Sequence, residues 1–222
     1  MKDDPSGSDE RYWAPCMEQK SRQPRSTRPW SAAITRMVAF ADQKTARIIG
    51  ITGNRPGVGV SLLSRELAHA YAANGTPVVL VDASRMTVEA IRRGEGRNVP
   101  FDLLAIASVE ETGALFVDLA APDLPLPSDR LAIKDAFERA AANDVAVVVD
   151  LPAVFSERLQ DAQVLSHVGP ACQLAFFVCM SGVITKAELS ACVSMCNINR
   201  VPIGGVVIND WKQSCAWLAR GW

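Results

Sequence analysis

A doubly wound α/β domain with a mostly parallel sheet is the fold class this sequence predicts, and three observations carry it. Short apolar runs rich in β-branched residues are separated by segments of helical length and period. The runs are apolar throughout rather than alternating, as strands covered on both faces must be. The first of them, IIGIT at Ile48–Thr52, leads into a glycine-rich turn and then a helical pattern, the layout of a phosphate-binding P-loop in a three-layer αβα fold.

In chain order, strands are predicted at Ile48–Thr52, Pro77–Asp82, Leu115–Leu119 (the weakest), Val145–Asp150, Leu174–Met180 and Val201–Ile208. Helices are predicted near Val60–Asn74, Asp102–Ser108, Asp129–Ala142, Arg158–Val168 and Thr185–Ile198. Asn74-Gly75 and Asn143-Asp144 stop the helices that precede two of the strands. In an open sheet of this kind ligands sit beyond the carboxyl ends of the strands, so the residues at those ends are the candidates for function.

Those ends are polar in an ordered way. The first strand delivers Gly53-Asn54-Arg55-Pro56-Gly57-Val58-Gly59, one strand ends at Asp82, another at Asp150, and the last at Asn209-Asp210. Glycines 57 and 59 let backbone N–H groups approach an anion, and the helix that starts there adds its positive end. The predicted ligand-binding set is Arg55, Gly57, Val58, Gly59, Val60, Ser61, Leu62, Asp82, Asp150 and Asn209. Within it Ser61, Asp82 and Asp150 are the metal candidates, for a hydroxyl and two carboxylates suit Mg²⁺. For Asp82 and Asp150 the plain alternative is a turn or helix cap, and for Asn209 a turn cap.

The loop nevertheless lacks its cation. A P-loop ends in G-K-[ST], where the lysine reaches the β/γ-phosphates; here the triplet is Gly59-Val60-Ser61. One missing charge-assisted contact costs about 1.5–3 kcal/mol of binding, and its loss in phosphoryl transfer costs more because negative charge grows in the transition state.

Composition bounds the rest. The 222 residues, 49% hydrophobic and 21% charged, suffice for one full core, and a net charge of -1 gives no global field for nucleic acid. No run reaches the 18 or more apolar residues of a membrane span and the first residues are polar, so a cytoplasmic location is expected. Cys16, Cys172, Cys179, Cys192, Cys196 and Cys215 include no C-x-x-C pair, and the only histidines are His69 and His167; free thiols are expected rather than a metal centre. Three zones follow: a polar tail over residues 1–30 with a basic run (Lys20, Arg22, Arg25, Arg28), the α/β domain over 31–210, and a tryptophan-rich end over 211–222. Tryptophans fall at 13, 30, 211, 217 and 222, either as a packing layer folded back on the domain or as anchors for something outside it.

The segments ITGNRPGVGVSLLSRELAHAYAANGTPVVLVDAS, VPFDLLAIAS, PLPSDRLAIKDAFERAAANDVAVVVDLPAV and PIGGVVIND resemble, in order and spacing, the cytoplasmic domain of the bacterial tyrosine kinases of capsular and exopolysaccharide synthesis, within the MinD/ParA-type deviant P-loop ATPases. The resemblance spans roughly Ile48 to Asp210. It implies a role in surface-polysaccharide polymerisation or export beside a membrane-embedded co-polymerase or export protein, peripheral placement at the inner face of the membrane through that partner, and homo-oligomerisation as a further option. It also implies ATP or ADP with Mg²⁺ as ligands, with Asn209 on the adenine.

The departures from the family point the other way. Val60 replaces the lysine, Asp82-Ala83-Ser84 stands where the family has Asp-x-Asp, and Pro29, Ala32 and Thr35 stand where it has the Glu and two Arg of a subunit-contact motif. The only tyrosines are Tyr12 and Tyr71, neither in a C-terminal cluster. The expected function is therefore a catalytically silent regulatory or scaffold protein with nucleotide bound weakly or not at all. Its rivals are an ATPase or autokinase in which Arg55 stands in for the lysine, and a MinD-like positioning factor.

Overall fold

The computed structural model describes residues 30–93, 101–121, 123–124, 126–127 and 129–210. Seven strands, β1 (Ile48–Gly53), β2 (Val78–Asp82), β3 (Ser108–Val109), β4 (Leu115–Asp118), β5 (Ala146–Asp150), β6 (Leu174–Met180) and β7 (Ile203–Asn209), form one sheet in the order β3-β4-β2-β5-β1-β6-β7. All pairings are parallel except β3 with β4. Among the described residues six α-helices accompany them: α1 (Ser31–Gln43), α2 (Val60–Ala73), α3 (Val88–Arg93), α4 (Arg130–Ala142), α5 (Leu159–Val168) and α6 (Lys186–Ile198).

The two faces of the sheet bury different helices. Ile49, Ile51, Leu80, Val148 and Val178 face α1 and α2 through Ile34, Met37, Leu63, Leu67 and Tyr71. Ile48, Val79, Val81, Val147, Val149 and Phe177 face α4, α5 and α6 through Ile133, Phe137, Val164, Cys192 and Cys196. Neighbouring residues of one strand thus serve opposite cores, which is why β1, β5 and most of β6 are buried at every position. Cys172, Cys179, Cys192 and Cys196 are buried free thiols, raised in pKa chiefly by that burial.

Four elements differ from expectation, one of them β3, which was not among the predicted strands. The helix predicted near Asp102–Ser108 is a turn: the Asp102 carboxylate accepts from the N–H groups of Leu104 (3.0 Å) and Ala105 (3.4 Å), and the chain then enters β3 instead of propagating a helix. The burial of Phe101 and Leu103 anchors that turn. Helices α1 and α3 were not among the predicted elements; α1 carries an apolar stripe, Ala33, Ile34, Met37 and Ala41, buried against α2 and the sheet. Trp30, assigned by sequence to the tail, is 2% exposed and packs with α1 and α2. Trp13, Trp211, Trp217 and Trp222 lie outside the described residues, as do the basic run, Tyr12, Cys16 and Cys215. Among the described residues no helix is long and apolar enough to cross a membrane.

Candidate functional site

The order β2-β5-β1-β6-β7 brings the sequence-predicted strand ends together along one edge of the sheet. Asp82 and Asp150 are in register on β2 and β5, and Asn209 ends β7 two strands from β1 on the other side. Between them lies the loop from Gly53 to Gly59. Its base is fixed by Thr52, whose hydroxyl donates to the Pro152 carbonyl at 2.7 Å, and by Val154 and Phe155, whose N–H groups donate to Gly53 and Asn54 at 2.9 Å each. The V-V-V-D-L-P segment is thereby tied to the loop that follows β1.

Gly57 (φ 83°) and Gly59 (φ 101°) take left-handed backbone conformations, and Gly59 is the N-cap of α2 with no side-chain cap. Helices α4 and α6, in contrast, are capped by Asp129 and by a Thr185/Glu188 capping box. The open end of α2 faces a cleft of about 360 Å³ lined by Gly57, Gly59, Val60, Ser61, Asp150 and Arg158, among others.

Val60 turns its isopropyl group under the loop. A Cβ added to Gly53 would come within 2.6 Å of Val58 Cγ2 and 2.9 Å of both Val60 Cγ2 and the Val178 carbonyl oxygen. The lysine position is thus filled by a methyl packed on the strand, and glycine is required at 53 by close approach. Gly53→Ala should lower stability by about 1–3 kcal/mol, because the backbone oxygen cannot yield; a fall of several degrees in the thermal midpoint checks this, and an unchanged midpoint would show that the loop is not packed as described.

Asp150 is 4% exposed and its Oδ1 has no hydrogen-bond partner. Burial pushes its pKa up to about 7, the Ser61 hydroxyl pulls it back, Asp82 pushes it further, and Arg65 and Arg85 pull it down. A buried carboxylate oxygen without a donor, beside a serine hydroxyl, fits a divalent cation as its counter-ion. Ser61 and Asp150 are the two residues that would hold Mg²⁺, which would supply charge neutralisation to a bound phosphate.

Asp82 is directed elsewhere. Its Oδ1 accepts from the Ser84 N–H at 2.9 Å and the Ser84 hydroxyl at 2.7 Å, and Oδ2 lies 3.6 Å from Arg85 Nε, whose Nη2 also bonds Asp118 at 2.9 Å. The metal set read from sequence therefore divides, with Asp82 serving the turn after β2 and acting on Asp150 only through its charge. Among the described residues no group of three or more His, Cys, Asp or Glu could hold a metal.

Arg55 is at the rim and engaged: its Nη2 lies 3.0 Å from Glu188 Oε1. The Thr185 backbone and hydroxyl hold the Glu188 carboxyl below its ordinary range, with Arg55 adding to the same direction. A phosphate would have to displace Glu188 to take this guanidinium. Leu62 is 52% exposed beside the cleft, and Val58 is buried under the loop and does not line the cleft.

Asn209 is 4% exposed, and its Nδ2 donates to the Val58 carbonyl at 2.9 Å. Its Oδ1 is buried and accepts no hydrogen bond, so the amide ties β7 to the loop through one N–H. Tyr71 is likewise buried, with its phenol raised to about 12 chiefly by burial.

Sequence reasoning missed Arg158 and Ser84, which also line the cleft. Arg158 Nε lies 3.6 Å from Asp161, which is itself 4% exposed. The only signal was an arginine at the start of a helix just after the D-L-P segment, and nothing local distinguishes it from a surface cation.

This architecture, a parallel sheet with order β2-β5-β1-β6-β7 at its centre and a glycine loop feeding α2, is a P-loop NTPase-like three-layer αβα fold, shared with solved structures of bacterial tyrosine kinase domains and of MinD. The kinase domain of the Escherichia coli tyrosine kinase ETK matches with a TM-score of 0.61 at 21% identity, over 85% of this chain and 77% of that one. The BceF tyrosine kinase domain matches with a TM-score of 0.60 at 22% identity, over 89% and 86%. The septum site-determining protein MinD from Pyrococcus horikoshii, complexed with Mg-ADP, matches with a TM-score of 0.54 at 15% identity, over 76% and 72%. No family model matches the chain, and no curated protein matches it. At these identities the likeness is one of fold.

Proposed function

We propose that this chain is a degenerate P-loop protein, a pseudo-kinase or pseudo-ATPase, that acts as a regulator or scaffold in the synthesis or export of a surface polysaccharide. The observation that carries the silent part of this reading is Val60, packed against Gly53 where the phosphate-binding lysine belongs. Its support comes from the missing second carboxylate at Asp82-Ala83-Ser84, from the engagement of Arg55 by Glu188, and from the burial of Tyr71. The polysaccharide context rests on the resemblance of the sequence to the kinases of that system and on the fold shared with the ETK and BceF kinase domains. A membrane-embedded co-polymerase or export protein is the partner this reading assigns, with a peripheral position at the inner membrane face.

Residual binding of ATP or ADP with Mg²⁺ through the Gly57–Ser61 backbone and Asp150 belongs to the proposal; turnover does not. Purified protein should show no ATP hydrolysis and no tyrosine autophosphorylation above a heat-treated control. Turnover in the native protein that Arg55→Ala abolishes would overturn the reading and favour the rival in which Arg55 replaces the lysine.

A further inference from the structure

The two guanidinium groups that line the cleft each have a carboxylate beside them. Arg55 Nη2 lies 3.0 Å from Glu188 Oε1, and Arg158 Nε lies 3.6 Å from Asp161 Oδ1. The two pairs differ in what holds the carboxylate. Asp161 belongs to the first turn of α5, its side chain is 6% exposed, and it lines the cleft together with its arginine. Glu188 comes from α6 and does not line the cleft, and its side chain is 38% exposed against 56% for Arg55. Water reaches both members of that second pair, so their contact can open without leaving a charge buried and unpaired.

Glu188 is nevertheless fixed in place. Its Oε2 accepts from the Thr185 N–H at 2.9 Å and from the Thr185 hydroxyl at 3.0 Å, and the Thr185 hydroxyl accepts from the Glu188 N–H at 3.1 Å. This capping box uses one carboxylate oxygen and leaves the other, Oε1, on Arg55. The first turn of a helix also favours the ionised form, in keeping with a carboxyl held below its ordinary range. A preorganised carboxylate with one oxygen to spare offers a guanidinium what a phosphate oxygen offers, a charged acceptor. Arg55 therefore stands between two anion positions, the cleft on one side and Glu188 on the other.

We propose, resting on the reading of the Gly57–Ser61 loop as a residual phosphate site, that Glu188 is an autoinhibitory residue whose carboxylate occupies Arg55 in place of a phosphate-type anion. The anion affinity of the cleft is then set by the exchange of Arg55 between the two. Through this one side chain α6 controls a site to which it contributes no lining residue. The opposite role, in which Glu188 holds Arg55 ready for the anion, predicts the opposite sign when the charge is removed.

The test is calorimetric titration of magnesium pyrophosphate into the full chain, Glu188→Gln, Arg55→Ala and the double variant. Glutamine preserves the capping box, because its side-chain oxygen still accepts from Thr185, and it removes only the charge. The series is repeated in a Val60→Lys background, which strengthens the phosphate contact. Glu188→Gln should raise the affinity about threefold or more, and the gain should shrink at high salt. With Arg55→Ala already present, the same substitution should give less than half that gain. An affinity that Glu188→Gln leaves unchanged or lowers overturns the proposal, as does an equal gain with and without Arg55. In those cases binding is still seen and the phosphate-site reading stands. Absence of heat in every variant, Val60→Lys included, overturns that reading and the proposal with it.

Discussion

Replacing Val60 with lysine should raise the affinity of the loop for magnesium pyrophosphate by tenfold to a hundredfold. The expectation follows from the size of one charge-assisted contact to phosphate, about 1.5–3 kcal/mol, and from the position of residue 60 as the first residue of α2. Its Cα is set by the left-handed Gly59 that precedes it, so a lysine there begins from backbone already built for the purpose. The methyl contact on Gly53 is weakened, at a cost below that of opening a cavity, because the first methylenes of lysine occupy much of the same space. Turnover should not follow affinity, since Asp82 stays in its turn with Ser84 and no second carboxylate is supplied. Titration calorimetry at two salt concentrations checks the result. An affinity that does not rise would mean that the amides of this loop do not face an anion, and the residual-site reading would fall.

Asp150→Asn should stabilise the protein above pH 7 and have little effect near pH 4. The folded state holds the Asp150 proton up to about pH 7, against an ordinary value of 3.8, so ionisation is disfavoured by folding. The stability that goes with the protonated form is complete below pH 4, is lost as the pH rises from 4 to 7, and is absent above that. Asparagine keeps the shape and cannot ionise, so its advantage grows over that window to on the order of 2–4 kcal/mol. For a chain of this length that is roughly 4–15 °C in the thermal midpoint. Millimolar Mg²⁺ should raise the wild-type midpoint at pH 8 by supplying the counter-ion that Oδ1 lacks, and should do nothing for Asp150→Asn. Thermal melts at pH 4.5 and pH 8, with and without Mg²⁺, read all of this. An equal difference between wild type and variant at both pH values would show that Asp150 does not carry the raised pKa.

Both predictions turn on residues visible in the sequence, and the contrast with Asn209 and Arg55 shows where that visibility ends. Val60 could be read because a loop motif fixes which residue type its chemistry needs at each position. Asp150 could be read because a polar residue ending a wholly apolar strand marks the sheet's carboxyl edge. The same logic selected Asn209, but whether its amide faces a ligand or the loop depends on Val58, 151 positions away. Arg55 was readable as a cation near phosphate, whereas its capture by Glu188, 133 positions on, was not.

By itself the sequence determined the fold class, four of the six described helices and six of the seven strands in nearly correct bounds, the loop, and the loss of its lysine. These are consequences of periodicity, local backbone preference and the residue types a motif requires, all of which act over a few neighbouring positions. Only the tertiary structure decided that Trp30 covers Gly59, that Asp82 turns to Ser84 and Arg85 while Asp150 Oδ1 is left without a donor, and that Arg158 enters the cleft. Each of these is set by which segments the sheet order brings side by side, and burial, which raises the pKa of Asp150 and seals Asn209, is a property of that assembly rather than of any short stretch of chain.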